Sequence, residues 1–116
     1  MDQFEISRDE AAPGVTVIAV TGEVDMATAP QFTSAAQEAL AEGSTSIVVD
    51  LRATTFLDSS GLGAILAAVD RARLAGGNLA VVNVDATIQR TLEITGMNDI
   101  FPVRDSLEAA LEAIRA

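Results

Sequence analysis

The sequence contains no cysteine, no histidine and no lysine, and each absence removes a class of chemistry. Without cysteine the chain can form no disulfide bond, no thiolate metal site and no thiol nucleophile. Without histidine a Ser-His-Asp relay is impossible. All seven basic residues are arginines, which stay protonated and cannot act as a general base. These absences argue against an enzyme with a nucleophilic serine, and we expect no catalytic residue.

Aromatic residues, positive charge and long apolar runs are also scarce. There is no tryptophan or tyrosine, and the net charge is −10, so little could stack on bases or neutralise phosphates. The longest apolar run, residues 61–69, is half of the roughly 18 residues that a membrane span needs. Residues 1–10 are charged and lack an apolar signal core. We therefore expect a cytoplasmic protein that binds neither nucleic acid nor membrane and that favours basic partner surfaces.

Strand-like and helix-like segments alternate along the chain without a linker, which predicts one domain over residues 1–116. The strand-like segments are residues 3–8, 15–22, 45–51, 78–84 and 99–103. The helical segments begin near Thr28, Asp58, Asp85 and Asp105. This order, β-β-α-β-α-β-α-β-α, predicts an α/β fold, a sheet with right-handed crossovers and an antiparallel hairpin at one edge.

Several residues predict where these elements begin and end. Thr28 is the expected N-cap of the first helix, and Gln31 could complete a capping box with it. Asp105 and Glu108 form a second possible capping pair before the last helix. Pro102 predicts that the last strand lies at the edge of the sheet.

The stretch FLDSSGLG, residues 56–63, lies where the second helix should start. It does not match the G-x-S-x-G elbow of hydrolases. It also lacks the spaced glycines and the lysine of a P-loop. A hard-cation site made by Glu23, Asp25 and Asp58 is conceivable, but acidic trios in so acidic a protein are usually surface. We therefore expect neither a metal nor a cofactor.

Two interpretations of the serines in this stretch remain open. Either Asp58 or Ser59 could simply cap the helix. The stretch also holds more candidate caps than one helix needs, and Gly61 would leave a serine hydroxyl accessible to another protein. The start of a helix offers free N–H groups, so a phosphate there would leave the fold intact. The serine could therefore be the target of a modifying enzyme.

Four segments together resemble the bacterial anti-sigma factor antagonists, which are single sulfate-transporter-and-anti-sigma-antagonist (STAS) domains. The segments are TGEVD at 21–25, VVDL at 48–51, FLDSSGLG at 56–63 and ITGMNDIFPV at 94–103. The resemblance covers essentially the whole chain and implies a mixed sheet with packed helices. It also implies that the unphosphorylated protein binds an anti-sigma factor, which is a serine kinase of the histidine-kinase-like ATPase type, and so releases the sigma factor.

The resemblance further implies roles for individual residues. Ser59 would be the phosphoacceptor, and a metal-dependent phosphatase would restore the unphosphorylated form. The partner-binding residues would be Asp25, Thr28, Asp58, Ser60, Gly61, Leu62 and Gly63. The alternative within the family is a STAS scaffold or sensor component of a stress-signalling assembly.

Overall fold

The computed structural model describes residues 3–115, so the ends of the predicted domain, residues 1, 2 and 116, lie outside the described part. Five strands and four helices follow in the predicted order. The strands are β1 (Glu5–Ala12), β2 (Val15–Val24), β3 (Ser46–Leu57), β4 (Leu79–Val82) and β5 (Val103–Arg104). The helices are α1 (Ala29–Ala41), α2 (Ser59–Leu74), α3 (Ala86–Ile94) and α4 (Leu107–Arg115).

The strands form one mixed sheet in the order β1-β2-β3-β4-β5. The hairpin β1–β2 is antiparallel and lies at one edge, as the short turn between the strands predicts, and the other pairs are parallel. Helices α1, α2 and α3 bury their apolar faces on one side of the sheet. Helix α4 packs on the other side, against Val17, Val48, Ala80 and Val82. The parallel strands therefore direct their carboxyl ends, and the starts of all four helices, to one edge of the molecule.

The strand boundaries differ from the predicted ones. Strand β1 continues to Ala12, because the hairpin register pairs its charged residues with β2 and leaves their side chains in solvent. Strand β3 continues past Leu51 to Leu57, because β2 is long enough to pair with it up to Val24. Strand β4 ends at Val82, two residues earlier than predicted.

The segment predicted as strand 99–103 is mostly not a strand. Met97–Asp99 forms a short 3₁₀ helix, and the Phe101 N–H donates to the Met97 carbonyl at 3.2 Å. These local hydrogen bonds occupy the backbone before Pro102, so only Val103–Arg104 pairs with β4. Strand β5 does lie at the edge of the sheet, as the proline predicted.

The sequence predicted the capping residue of α3 correctly but not that of α4. Asp85 caps α3 by accepting a hydrogen bond from the Ile88 N–H at 2.9 Å. At α4 the hydrogen bond runs to Ser106 instead of the expected Asp105, since Ser106 Oγ accepts from the Ala109 N–H at 3.1 Å. No helix within residues 3–115 is long and apolar enough to cross a membrane.

Candidate functional site

The turns after β2 and β3 meet at the carboxyl edge of the sheet and bring most of the predicted site residues together. The Asp58 N–H donates to the Val24 carbonyl at 3.2 Å, which ties the turn before α2 to the end of β2. Asp25 and Thr28 lie in the neighbouring turn before α1. The two helix starts are therefore the two sides of one surface.

Asp58 is the N-cap of α2. Its Oδ1 accepts hydrogen bonds from the N–H groups of Ser60 at 2.9 Å and Gly61 at 3.2 Å. Asp58 thus already occupies two of the N–H groups that were expected to be free at this helix start. Ser59 is the first residue of the helix and is exposed. Within residues 3–115 its hydroxyl makes no hydrogen bond, because the capping role has gone to Asp58.

The two glycines that follow have opposite surroundings. Gly61 is buried, and a Cβ there would lie 2.5 Å from Leu57 Cδ1 and 2.8 Å from Val24 Cγ1. The start of α2 can approach the sheet only because this side chain is missing. Gly63 is exposed, and a Cβ there would meet nothing within 4 Å. Leu62 is buried, so any effect of Gly61 or Leu62 on a partner would act through packing rather than contact.

Thr28 is the N-cap residue of α1, as predicted, but the capping hydrogen bond expected of it is absent among residues 3–115. Thr28 has helical backbone angles. Its hydroxyl turns backwards instead: it donates to the Glu23 carbonyl at 2.7 Å and accepts from the Asp25 N–H at 2.9 Å. The Asp25 carboxylate in turn accepts from the N–H groups of Ala27 and Thr28 at 2.9 and 3.1 Å. The turn before α1 is therefore closed by its own side chains, as Asx turns are.

The same hydrogen bonds bear on the conceivable cation site. The carboxylates of Asp25 and Asp58 point at backbone N–H groups of their own turns. Within residues 3–115, no three acidic, histidine or cysteine side chains are grouped so that they could hold a metal ion. The reactive group that this surface presents is the exposed hydroxyl of Ser59, and the carboxylates of Asp25 and Asp58 make the surface negative.

Beside Ser59 lies an open groove between α1 and α2, with a volume of about 540 Å³. Its walls include Met26, Pro30, Thr33, Ser60, Gly63 and Ala64. Most of these side chains are small or apolar, and Met26 is 77% exposed. Such a groove can accept apolar side chains of another protein next to the serine.

Sequence reasoning did not find this groove or its exposed methionine. Ser60, Ala64 and Ala67 follow one another at i, i+4 and i+7, which places three small residues on the α1 side of α2. That spacing was visible in the sequence. The facing residues of α1 and Met26 were not, because their position depends on how the turn after β2 folds.

The comparisons with known proteins agree with this geometry. The family model of the STAS domain matches residues 8–110, and the chain belongs to this family. Its relatives include an anti-sigma F factor antagonist of Paenibacillus polymyxa, 33% identical over 99 residues, which are 84% of this chain and 85% of that protein.

Two further proteins support the same placement. An anti-sigma-F factor antagonist of Mycobacterium tuberculosis, RsfB, is 33% identical over 102 residues, covering 88% of this chain and 83% of that protein. The crystal structure of an anti-sigma factor antagonist from Mycobacterium paratuberculosis superposes with a TM-score of 0.85 at 30% identity. That match covers 99% of this chain and 97% of the other. The predicted family and the predicted fold are both confirmed.

Proposed function

We propose that this protein is an anti-sigma factor antagonist that is switched off by phosphorylation of Ser59. In its unphosphorylated form it binds an anti-sigma factor serine kinase and so releases the sigma factor. The kinase then phosphorylates Ser59 and the complex dissociates. A metal-dependent phosphatase removes the phosphate and restores binding.

The observation that carries this proposal is the division of roles between Asp58 and Ser59. Asp58 supplies the cap, so the Ser59 hydroxyl is exposed and is not needed by the fold. Ser60, by contrast, is half-buried against the groove. A kinase can therefore reach Ser59 without unfolding the helix, and the modified protein keeps its structure.

The surroundings of Ser59 support the effect that a phosphate would have. A phosphate carries a charge of about −1.5 to −2, and it would lie beside the Asp58 carboxylate, which already occupies two N–H groups of the first turn. Under a bound partner this charge would be unpaired. An orphaned buried charge costs about 3–5 kcal/mol, which corresponds to roughly 10²–10⁴ in affinity.

The direct test is phosphorylation by the anti-sigma factor kinase of the same organism with ATP, followed by intact-mass measurement. The wild-type chain should gain one phosphate, Ser59→Ala should gain none, and the matched control Ser60→Ala should still gain one. Stoichiometric labelling of Ser59→Ala would contradict the assignment of the acceptor.

A binding titration tests the consequence for the complex. We expect Ser59→Ala to bind the kinase as the wild type does and Ser59→Asp to bind at least tenfold more weakly, because only the second adds a negative charge. Equal affinities of these two variants in calorimetry would remove the electrostatic switch from the proposal.

A further inference from the structure

Strand β3 is longer than its neighbour β4 and continues past the end of it. Its ladder with β4 begins at Ile47 and ends at Asp50, opposite Val82. On the other side β3 stays paired with β2 as far as Leu57. Among residues 3–115, no strand pairs with residues 51–57 on the β4 side. Such an edge is a template onto which a further strand can add.

Four of the seven side chains at residues 51–57 are exposed, whereas Leu51, Thr54 and Leu57 are buried. Thr55 is exposed, and the register skips it, since Gly22 pairs with Thr54 and Glu23 with Phe56. Phe56 is 47% exposed. The other phenylalanines, Phe4, Phe32 and Phe101, are half-buried or buried. An aromatic side chain exposed beside an unpaired strand edge is typical of an interaction surface.

Helix α4 leaves this part of the sheet uncovered. It packs against Val17 and Val48, which lie in the first halves of β2 and β3. Alternation from Val17 places Ala19, Thr21 and Glu23 on the α4 side of β2. Phe56 lies opposite Glu23 in the ladder and therefore shares that face, towards the carboxyl edge where α4 begins.

The charge around this edge indicates what kind of segment fits it. The turns after β2, β3 and β4 carry Asp25, Asp58 and Asp85. The arginine of this stretch, Arg52, is neutralised by Asp50 through two hydrogen bonds of 2.9 and 2.8 Å. Arg104 lies at the same edge, opposite Val82. Three carboxylates against this one further arginine leave the edge net negative, which favours a basic segment.

We infer that residues 51–57 are a docking edge for an extended, basic segment of the anti-sigma factor, with Phe56 as its apolar anchor. This inference rests on the proposed function, and it adds a second contact on the sheet to the groove between α1 and α2. The Arg52 N–H already donates to Asp50 Oδ1 at 3.0 Å, so the backbone groups of β3 beyond Arg52 would hold the segment. The acidic turns would select its charge.

The test combines hydrogen exchange with calorimetry on the complex with the anti-sigma factor kinase. We expect the amides of residues 51–57 to exchange more slowly in the complex than in the free protein. Phe56→Ala should weaken binding about tenfold or more, as for an aromatic anchor. Leu74→Ala is the matched control, because Leu74 is 88% exposed at the far end of α2, and its affinity should change less than twofold.

The other outcomes overturn the inference in distinguishable ways. Unchanged exchange of residues 51–57, with normal kinase binding through the start of α2, removes the docking edge and leaves the proposed function intact. Wild-type affinity of Phe56→Ala removes the anchor. Protection of residues 51–57 that rises with the concentration of the free protein assigns the edge to a second copy of the chain. If the wild type fails to bind the kinase, both proposals fall.

Discussion

The two helix starts that border the site are built in different ways. At α2 the chain is joined to the sheet: Asp58 bonds to Val24 through its backbone, and Gly61 packs directly against β2 and β3. At α1 most of the hydrogen bonds stay within the turn, because Asp25 and Thr28 satisfy each other, and within residues 3–115 no side chain caps α1. One side-chain hydrogen bond, from the Thr28 hydroxyl to the Glu23 carbonyl, joins this turn to the end of β2. A change at the start of α2 should therefore reach the whole fold, whereas a change before α1 should remain local.

The largest expected effect is at Gly61. In Gly61→Ala the new Cβ would lie within 3 Å of side-chain methyl groups of Leu57 and Val24, so either these buried side chains or the helix start must shift. Overpacking of this kind costs about 1–3 kcal/mol. Urea unfolding should show a lower midpoint with an unchanged slope. A stability equal to that of the wild type would mean that the contact of Gly61 with Leu57 and Val24 does not constrain the fold.

Gly63→Ala is the matched control in the same helix. The added methyl group meets no atom within 4 Å, and alanine favours helix over glycine by about 0.5–1 kcal/mol. We expect this variant to be slightly more stable than the wild type. Because Gly63 is exposed next to the groove, the variant also tests whether an added methyl group there weakens kinase binding without harming the fold.

A smaller effect is expected at the start of α1. Thr28→Val keeps the shape of the side chain and removes the hydroxyl that bonds to Glu23 and Asp25. The loss should be about 1 kcal/mol, and Thr28→Ser should recover most of it. Amide chemical shifts should change in the turn before α1 and stay constant in α2. Shift changes that spread into α2 would show that the two helix starts are coupled.

The sequence predicted the helix starts where one residue acts on its immediate neighbours. Asp58 and Asp85 cap α2 and α3 through N–H groups two or three residues ahead, a geometry that depends on the local chain alone. Thr28 had the same pattern, with Gln31 three residues later. Its hydroxyl instead donates to the Glu23 carbonyl at the end of β2 and accepts from the Asp25 N–H, and the position of both groups is set by how β2 ends.

The extent of β3 and the groove depend on contacts between distant parts of the chain. Residues 52–57 mix polar and apolar side chains without a regular alternation, and they become a strand because β2 offers a partner up to Val24. Exposure of Phe56 and Met26 likewise depends on which elements fail to cover them. Periodicity within a segment does not show which other elements pack over it. The sequence therefore predicted that Ser59 lies at a helix start, but it did not predict the groove between α1 and α2 or the unpaired edge of β3.

The smallest expected effect concerns the ion pair between Asp50 and Arg52 in β3, the strand that leads to α2. Burial raises the pKa of Asp50, but hydrogen bonds from the Arg52 side chain and N–H, together with its charge, outweigh burial and lower the pKa below 3.8. The folded state therefore favours the ionised carboxylate. Its contribution to stability is complete above the unfolded pKa and is lost as the pH falls through the folded pKa.

Since Arg52 is half-exposed, Asp50→Asn should cost at most about 1 kcal/mol near pH 6. The difference from the wild type should shrink in acid, because below the folded pKa Asp50 is protonated and resembles asparagine. Urea unfolding at pH 6 and pH 2.5 measures both values, with Asp70→Asn on the exposed surface of α2 as the control for loss of a charge. If the difference in free energy of unfolding between the wild type and Asp50→Asn grew towards acid pH, Arg52 would not stabilise the Asp50 carboxylate.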